Sequence, residues 1–396
     1  MKLSAESTPR IALIVSHPIQ HFCPQYVSFA ENTGIVFKVF FASRLGLEKY
    51  RDENFKQEIS WGNLNIEKFD HEFLNGKAIL QSDKNLDAPA LDAALAAFKP
   101  DIVITYGYFQ KLQRRAYKWC RKNKVPLAYI SDGELRQKRN KWKSILKYFF
   151  LRRYFSGIKY FLTVGDANEA FYAHYGVPAE KLLRMHFPID IKTYEKAWID
   201  RHELRKKIRL QYNIPEEAIV LSVVGKLVPW KNQDHIIDAM NLLEKEGIFT
   251  ELFIIGSGEM LQAWKDKGLK LSKSKVYFTG FVNIENLPAF YAATDIYIHP
   301  ASAEPHSIAV SEAIYMGCPA IISNRCGSYG KNDDVQENRN GYVYNFGNVE
   351  QLAMFIKQLI NTPEERKIYS DYAEKISRSF QQQSHFGIIE ELKKTF

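Results

Sequence analysis

An alternation constrains this chain more than any other feature. Short β-branched or aromatic runs take turns with helix-length stretches, the pattern stops, and then it begins again. In the first pass the strand-like runs are Ile11–Val15, Phe37–Ala42, Asp101–Tyr106, Leu127–Ile130 and Tyr160–Val164. Helical patterns lie between them at Gln20–Ala30, Leu91–Phe98, Lys111–Asn123, Lys141–Phe155 and Ala167–Tyr175. Strands separated by whole helices predict a parallel sheet covered on both faces. The segment Phe187–Tyr194 breaks the rhythm, and a charged helical stretch, Arg201–Tyr212, follows it. The alternation then restarts with strands at Ile219–Val224, Leu252–Ile255, Val276–Thr279, Ile296–His299, Ala320–Ser323 and Tyr342–Tyr344. Helices are expected at Asn232–Glu246, Glu259–Lys265, Leu287–Ala293, Ile308–Met316 and Val349–Leu359. The fold class is therefore α/β, with two doubly wound units and a boundary near Pro188–Asp200. A length of 396 residues suits two domains, and an apolar fraction of 46% supplies two cores. Sheets of this kind bind ligands beyond the carboxyl ends of their strands, so a ligand between the two units is expected.

Charge narrows the classes further. The net charge is +9, yet residues 1–190 carry +10 and the remainder −1. The basic excess belongs to the first half, which is expected to meet something anionic. No run approaches the ~18–20 apolar residues of a membrane span, and no secretory leader is read at the N-terminus. Cys23, Cys120, Cys318 and Cys326 lack C-x-x-C spacing, which predicts neither a disulfide framework nor a zinc site. A cytoplasmic setting is expected.

Chemistry-bearing residues gather in the second half. Gly225-Lys226-Leu227-Val228-Pro229-Trp230-Lys231-Asn232 follows a strand. Two lysines five apart at a strand end suit a diphosphate, although a solvated turn with ordinary surface lysines would read the same way. Gly256-Ser257-Gly258 closes the next strand and lets backbone approach a ligand. It lacks the third glycine of a dinucleotide fingerprint, which argues against a nicotinamide cofactor. Glu304-Pro305-His306-Ser307-Ile308 then leads into a helix containing Glu312. Ser307 is the expected cap, and the helix start offers N–H groups and a positive dipole end for phosphate. Glu312 lies among Val310, Ala313 and Ile314, and a carboxylate is seldom buried without a partner.

The order of these motifs resembles the retaining glycosyltransferases of family 4, which have the GT-B fold. To those already given the sequence adds Phe278-Thr279-Gly280-Phe281-Val282, Leu287 to Asp295 and Met316-Gly317-Cys318-Pro319. The resemblance implies two facing Rossmann-like domains: 1–190 for the acceptor, 191–378 for the donor, and a final helix, 379–396, packing back on the first. It implies Lys226 and Lys231 on the donor diphosphate, with Glu304 and these lysines carrying catalysis. Glu304 would bind the donor sugar and Glu312 the ribose. His306, Ser307 and Ile308 would meet phosphate or sugar, while Gly225, Gly256, Gly258, Phe281 and Val282 would border the nucleotide. The donor is a nucleotide-sugar, with UDP-sugar favoured and GDP-sugar second, and no metal or other cofactor is expected. No paired-aspartate metal motif is read. The acceptor is a glycan or lipid-linked glycan.

The chain departs from the family pattern at the first strand–helix turn. Ser16-His17-Pro18-Ile19-Gln20-His21 stands where relatives carry a glycine-rich loop. His17, Gln20 and His21, with Asp132 and Glu134 further on, are candidates for the acceptor side. From Leu135 to Lys159 nine basic residues and no acidic ones are interleaved with aromatics. That is the composition of a helix lying on anionic lipid, and equally of an ordinary helix whose aromatics face the sheet. Other GT-B enzymes, a sugar-nucleotide epimerase or a glucan synthase, remain as alternatives. A basic nucleic-acid-binding protein is disfavoured because no binding motif is present, and no nucleic-acid partner is expected.

Overall fold

The computed structural model describes residues 8–32, 34–47, 50–52, 57–59, 64–136 and 141–395. The first half contains β1 (Arg10–Val15), α1 (Cys23–Ala30), β2 (Val36–Phe41), β3 (Tyr50–Asp52), β4 (Gln57–Ile59) and β5 (Asp70–Phe73). It continues with α2 (Leu91–Phe98), β6 (Ile102–Tyr106), α3 (Lys111–Asn123), β7 (Leu127–Ile130), α4 (Lys141–Ser156), β8 (Tyr160–Thr163), α5 (Asp166–His174) and β9 (Leu182–Arg184). Seven strands form a parallel sheet in the order β5-β2-β1-β6-β7-β8-β9, and β3 and β4 make a small antiparallel ribbon.

The second half opens with α6 (Ile191–Ile199) and α7 (Arg201–Gln211). There follow β10 (Val220–Val224), α8 (Asp234–Lys245), β11 (Glu251–Ile255), α9 (Leu261–Gly268), β12 (Lys275–Gly280) and α10 (Leu287–Ala293). Then come β13 (Ile296–His299), α11 (Ile308–Tyr315), β14 (Ala320–Ser323), β15 (Gly341–Tyr344), α12 (Val349–Asn361), α13 (Pro363–Gln382) and α14 (Ile388–Lys393). Its six strands run β12-β11-β10-β13-β14-β15, all parallel. The strand order reverses between β10 and β13. A doubly wound sheet opens a crevice at that reversal, because the flanking helices leave on opposite faces.

Central strands read as continuous apolar runs because both faces are covered. Ile11, Leu13 and Val15 pack into one cluster, and Ala12 and Ile14 into the cluster on the opposite face. In the second sheet Phe253 and Ile255 face one core, and Leu252 and Ile254 the other. The four cysteines are all buried and unpaired.

The Phe187–Tyr194 segment forms no strand; α6 starts inside it, with the Asp190 carboxylate accepting from the Thr193 N–H. Beyond α13 the chain makes one turn of π-helix, Gln383–Gly387, and enters α14. Ile388, Ile389 and Leu392 are fully buried in the core of the first domain, beside Ile11 and Leu13. Gln25 donates to the Ser384 hydroxyl and carbonyl, and the Ser28 hydroxyl bonds the His385 ring.

The basic stretch divides its apolar residues. Leu151, Tyr154 and Phe155 are buried against the sheet, whereas Ile145, Leu146, Phe149 and Phe150 are exposed, Leu146 by 74%. Lys138 and Arg139, with the side chains of Lys141, Trp142 and Lys143, lie outside the described residues. Among the described residues no helix is long and apolar enough to cross a membrane.

Candidate active site

The loops that leave the reversal in the second sheet enclose a cavity of about 400 Å³. Gly225, Lys226 and Lys231 enter it from the turn after β10, Ile255 and Gly256 from the end of β11, and Phe281, Val282 and Ile284 from beyond β12. Glu304, His306 and Ser307 come from the loop after β13, and Ile308, Ala309 and Glu312 from α11. Gln20, His21 and Phe187 close it from the other domain.

Glycine is required where two of these loops cross. Gly256 has φ of +145°, and a Cβ there would lie 2.0 Å from the Gly225 carbonyl oxygen. Gly258 packs equally tightly on the Leu227 backbone but does not line the cavity. Its missing Cβ lets the two loops touch.

Lys231 bonds the Glu304 carboxylate, and the His299 Nε2 is 3.2 Å from the same oxygen. Burial alone would raise Glu304. The His299 hydrogen bond and the Lys231 charge outweigh it and hold this carboxyl at about 2. It is an anion at any physiological pH and can accept hydroxyl hydrogen bonds. Lys231 is anchored beside it and faces the cavity, as a cation for a diphosphate must.

Glu312 is only 3% exposed and accepts from the Tyr291 hydroxyl at 2.9 Å. Burial pushes its carboxyl up to about 7, against the opposing pull of Tyr291 and Tyr194. Ser307 stands at the N-cap of α11, but its side chain makes no capping bond. The cap position is as expected and only the side-chain bond is absent; the Ser307 N–H donates to the Ser328 hydroxyl at 2.8 Å, and Ile308 and Ala309 bring the helix start to the cavity.

The acceptor-side candidates separate. Gln20 and His21 line the cavity, whereas His17, Asp132 and Glu134 do not. Burial lowers both histidines to about 4, which keeps the rings neutral. His17 bonds the Ser16 hydroxyl at 2.9 Å. Glu134 is buried and accepts from the Arg136 N–H, which points to a loop-shaping role.

His299, Tyr291, Asp333 and Asp334 escaped the sequence reading. Asp333 and Asp334 form an adjacent pair beside His306, with Nε2 at 3.2 Å from Asp333 and 3.6 Å from Asp334. The pair stands in a polar loop without periodicity, so only the doubled aspartate could have marked it.

The two domains meet along a seam next to this pair. The Asp166 N–H donates to Asp333 at 2.8 Å, and the Asn332 N–H to Asp166 at 3.1 Å. Arg184 bonds Asp166 at 2.6 Å, Glu169 at 2.7 Å and the Asn332 carbonyl at 2.7 Å. Arg136 lies 4.3 Å over the Tyr329 ring.

Two parallel doubly wound domains with a cationic cavity at the reversal of the second sheet define the GT-B class. Residues 205–376 match the family model described as Glycosyl transferases group 1. The chain is 28% identical over 221 residues to a GDP-mannose-dependent phosphatidylinositol monomannoside mannosyltransferase of Mycobacterium tuberculosis, a match covering 53% of this chain and 54% of that one. The chain thus spans about half the length of the curated relatives that head the matches, 52% and 54% for two of them. The fold is shared with Anabaena HepE, solved with UDP and glucose, at a TM-score of 0.67 and 17% identity over 97% of this chain and 99% of that one. It is also shared with the UDP-GlcNAc 2-epimerase of Neisseria meningitidis, solved with UDP-GlcNAc, at 0.63 and 13% over 97% of this chain and 100% of that one.

Proposed function

We propose that this protein transfers a hexose, with retention of configuration, from a UDP- or GDP-linked donor to a glycan or lipid-linked acceptor in cell-surface polysaccharide synthesis. The observation that carries this reading is the cavity itself. It joins Lys226, Lys231, the start of α11 and the ionised Glu304 at one switch point. The diphosphate lies against the lysines and the helix end, Glu304 accepts from sugar hydroxyls, and Glu312 reaches the ribose. The bond from the anomeric carbon to the diphosphate oxygen breaks, and a bond to the acceptor oxygen forms on the same face. The acceptor proton passes to the departing phosphate, so no side chain need serve as a strong base. The lysines stabilise the leaving charge without a metal.

The test is nucleotide release from UDP-, GDP- and ADP-sugars. One donor is expected to turn over, and Lys231→Ala and Glu304→Ala are expected to lower kcat about 10²–10³-fold, the cost of removing one charge-stabilising group. Failure of all donors to bind at millimolar concentration would refute the reading. Product analysis separates transfer from epimerisation.

The exposed Ile145, Leu146, Phe149 and Phe150, beside Lys147, Arg152 and Arg153, support docking of the first domain on anionic membrane. Sedimentation with phosphatidylglycerol vesicles at low salt is expected to carry the protein down. Leu146→Ser with Phe149→Ser is expected to leave it in the supernatant. Sedimentation equal to wild type would remove this part of the reading.

A further inference from the structure

The His306 ring stacks on the ring of Phe187. It lies 5.2 Å from the Phe187 ring at an interplanar angle of 10°. An imidazole there adds two nitrogens that need partners. Nε2 has them in Asp333 and Asp334. The carboxylates are themselves fixed: Asp333 also accepts from the Asp334 N–H at 2.9 Å and from Asp166, and Asp334 from the Ser311 hydroxyl at 2.6 Å. Nδ1 is fully buried and has no hydrogen-bond partner among the described residues, although the ring lines the donor cavity. A buried nitrogen without a partner is costly, and a ligand oxygen would remove that cost.

We propose that His306 is an imidazolium held by Asp333 and Asp334, and that its Nδ1–H donates to an oxygen of the nucleotide-sugar donor. It is a third cation in the cavity beside Lys226 and Lys231, and it sits between the sugar-binding Glu304 and the phosphate-binding start of α11. The inference rests on the reading of this cavity as the donor site.

The charges around the ring agree with this. Burial alone would lower His306, but the Asp333 hydrogen bond and the charges of Asp333, Asp334 and Asp132 outweigh it and raise the imidazole above its ordinary value. His186, on the segment after β9, is pushed to about 3 by burial and by the Arg184 and His306 charges, and stays neutral. Lys231 and Glu304 face the same cavity and offset one another. A group raised in this way is charged below its shifted pKa and loses its charge as pH rises through it. Donor affinity from this contact is therefore present at low pH and lost at high pH.

The experiment is calorimetric titration of UDP, GDP, UDP-glucose and GDP-mannose into the full chain at about pH 6 and pH 9. The proteins are wild type, His306→Phe and Asp334→Asn, and wild type is repeated after EDTA treatment. His306→Phe keeps the stack on Phe187 and removes the cation. It is expected to bind about tenfold or more weakly at pH 6, the loss of one charged hydrogen bond, and to approach wild type at pH 9. Asp334→Asn keeps the shape and is expected to move the loss of affinity to lower pH. Glu312, at about 7, and Asp334, whose carboxyl burial raises to about 6, also titrate in this range, so the difference between His306→Phe and wild type carries the test. An equal loss for UDP and UDP-glucose assigns the oxygen to the diphosphate, and a loss for UDP-glucose alone assigns it to the sugar. His306→Phe binding like wild type at both pH values overturns the inference and leaves the donor site standing. Abolition of wild-type binding by EDTA also overturns it, because the three side chains would then hold a cation. If wild type binds none of the four nucleotides, the donor reading fails first.

Discussion

Glu312 carries a cost that the rest of α11 does not. It is buried among apolar residues, with the Tyr291 hydroxyl as its hydrogen-bond partner. Its pKa of about 7 stands above the ordinary 4.5. Across that interval the folded chain holds a proton that the unfolded chain has lost. Stability is therefore greatest below about pH 4.5 on this account and declines as pH rises to about 7. Glu312→Gln keeps the shape and cannot ionise. It is expected to melt with wild type near pH 4.5 and above it near pH 8, as measured by differential scanning calorimetry. An identical difference at both pH values would show that Glu312 is not titrating in this range. A ribose hydroxyl that donates to the carboxylate would favour its charged form and lessen the penalty when donor is bound. On the proposed donor reading, the residue exchanges stability of the empty protein for grip on the ligand.

The crossing loops after β10 and β11 explain why some of the site was legible and some was not. Gly225, Lys226, Lys231, Gly256 and Glu304 were readable because backbone crowding and charge restrict which residue types fit. Gly256→Ala would drive a methyl group into the Gly225 carbonyl at a φ of +145°. A loss of about 1–3 kcal/mol of stability is expected, with donor binding falling alongside, by chemical denaturation and titration. Retention of both would mean the loops part freely. The runs of β1, β6, β7, β10, β13 and β14 were legible for a similar reason, since burial on both faces leaves mostly apolar residues. By contrast β5, Asp-His-Glu-Phe, is a partly exposed edge strand with polar residues, and its sequence has no such signature. β9 is three residues long and also at an edge. α6 has no counterpart among the expected helices, because it starts at Asp190 inside the segment that breaks the alternation. α13 is polar over most of its 20 residues and is fixed by packing on α11 and α12. Asp333 and Asp334 became visible only when the chain brought His306 to them.

At the scale of the molecule, the last helix belongs to the first domain. Leu392 is fully buried in the cluster that includes Ile11, Leu13 and Ile104. Leu392→Ala is expected to cost about 2–5 kcal/mol, the range for a large-to-small change in a core. The loss should appear in the melting of the first domain, followed by hydrogen exchange at β1 and β2. Unchanged exchange there would mean that α14 only lies on the surface. The segment that returns is tied to the one that leaves. Gln381 donates to the Phe187 carbonyl at 2.9 Å and accepts from the Ile189 N–H at 3.0 Å, and His385 bonds the Ile189 carbonyl at 2.9 Å. A body tethered at one point can swing through a cone, but a body held at two neighbouring points can only turn about the line joining them. Chain connectivity alone therefore permits a turn about one line rather than a swing, and the Asp166–Asp333 and Arg184–Asn332 contacts hold the angle between the domains.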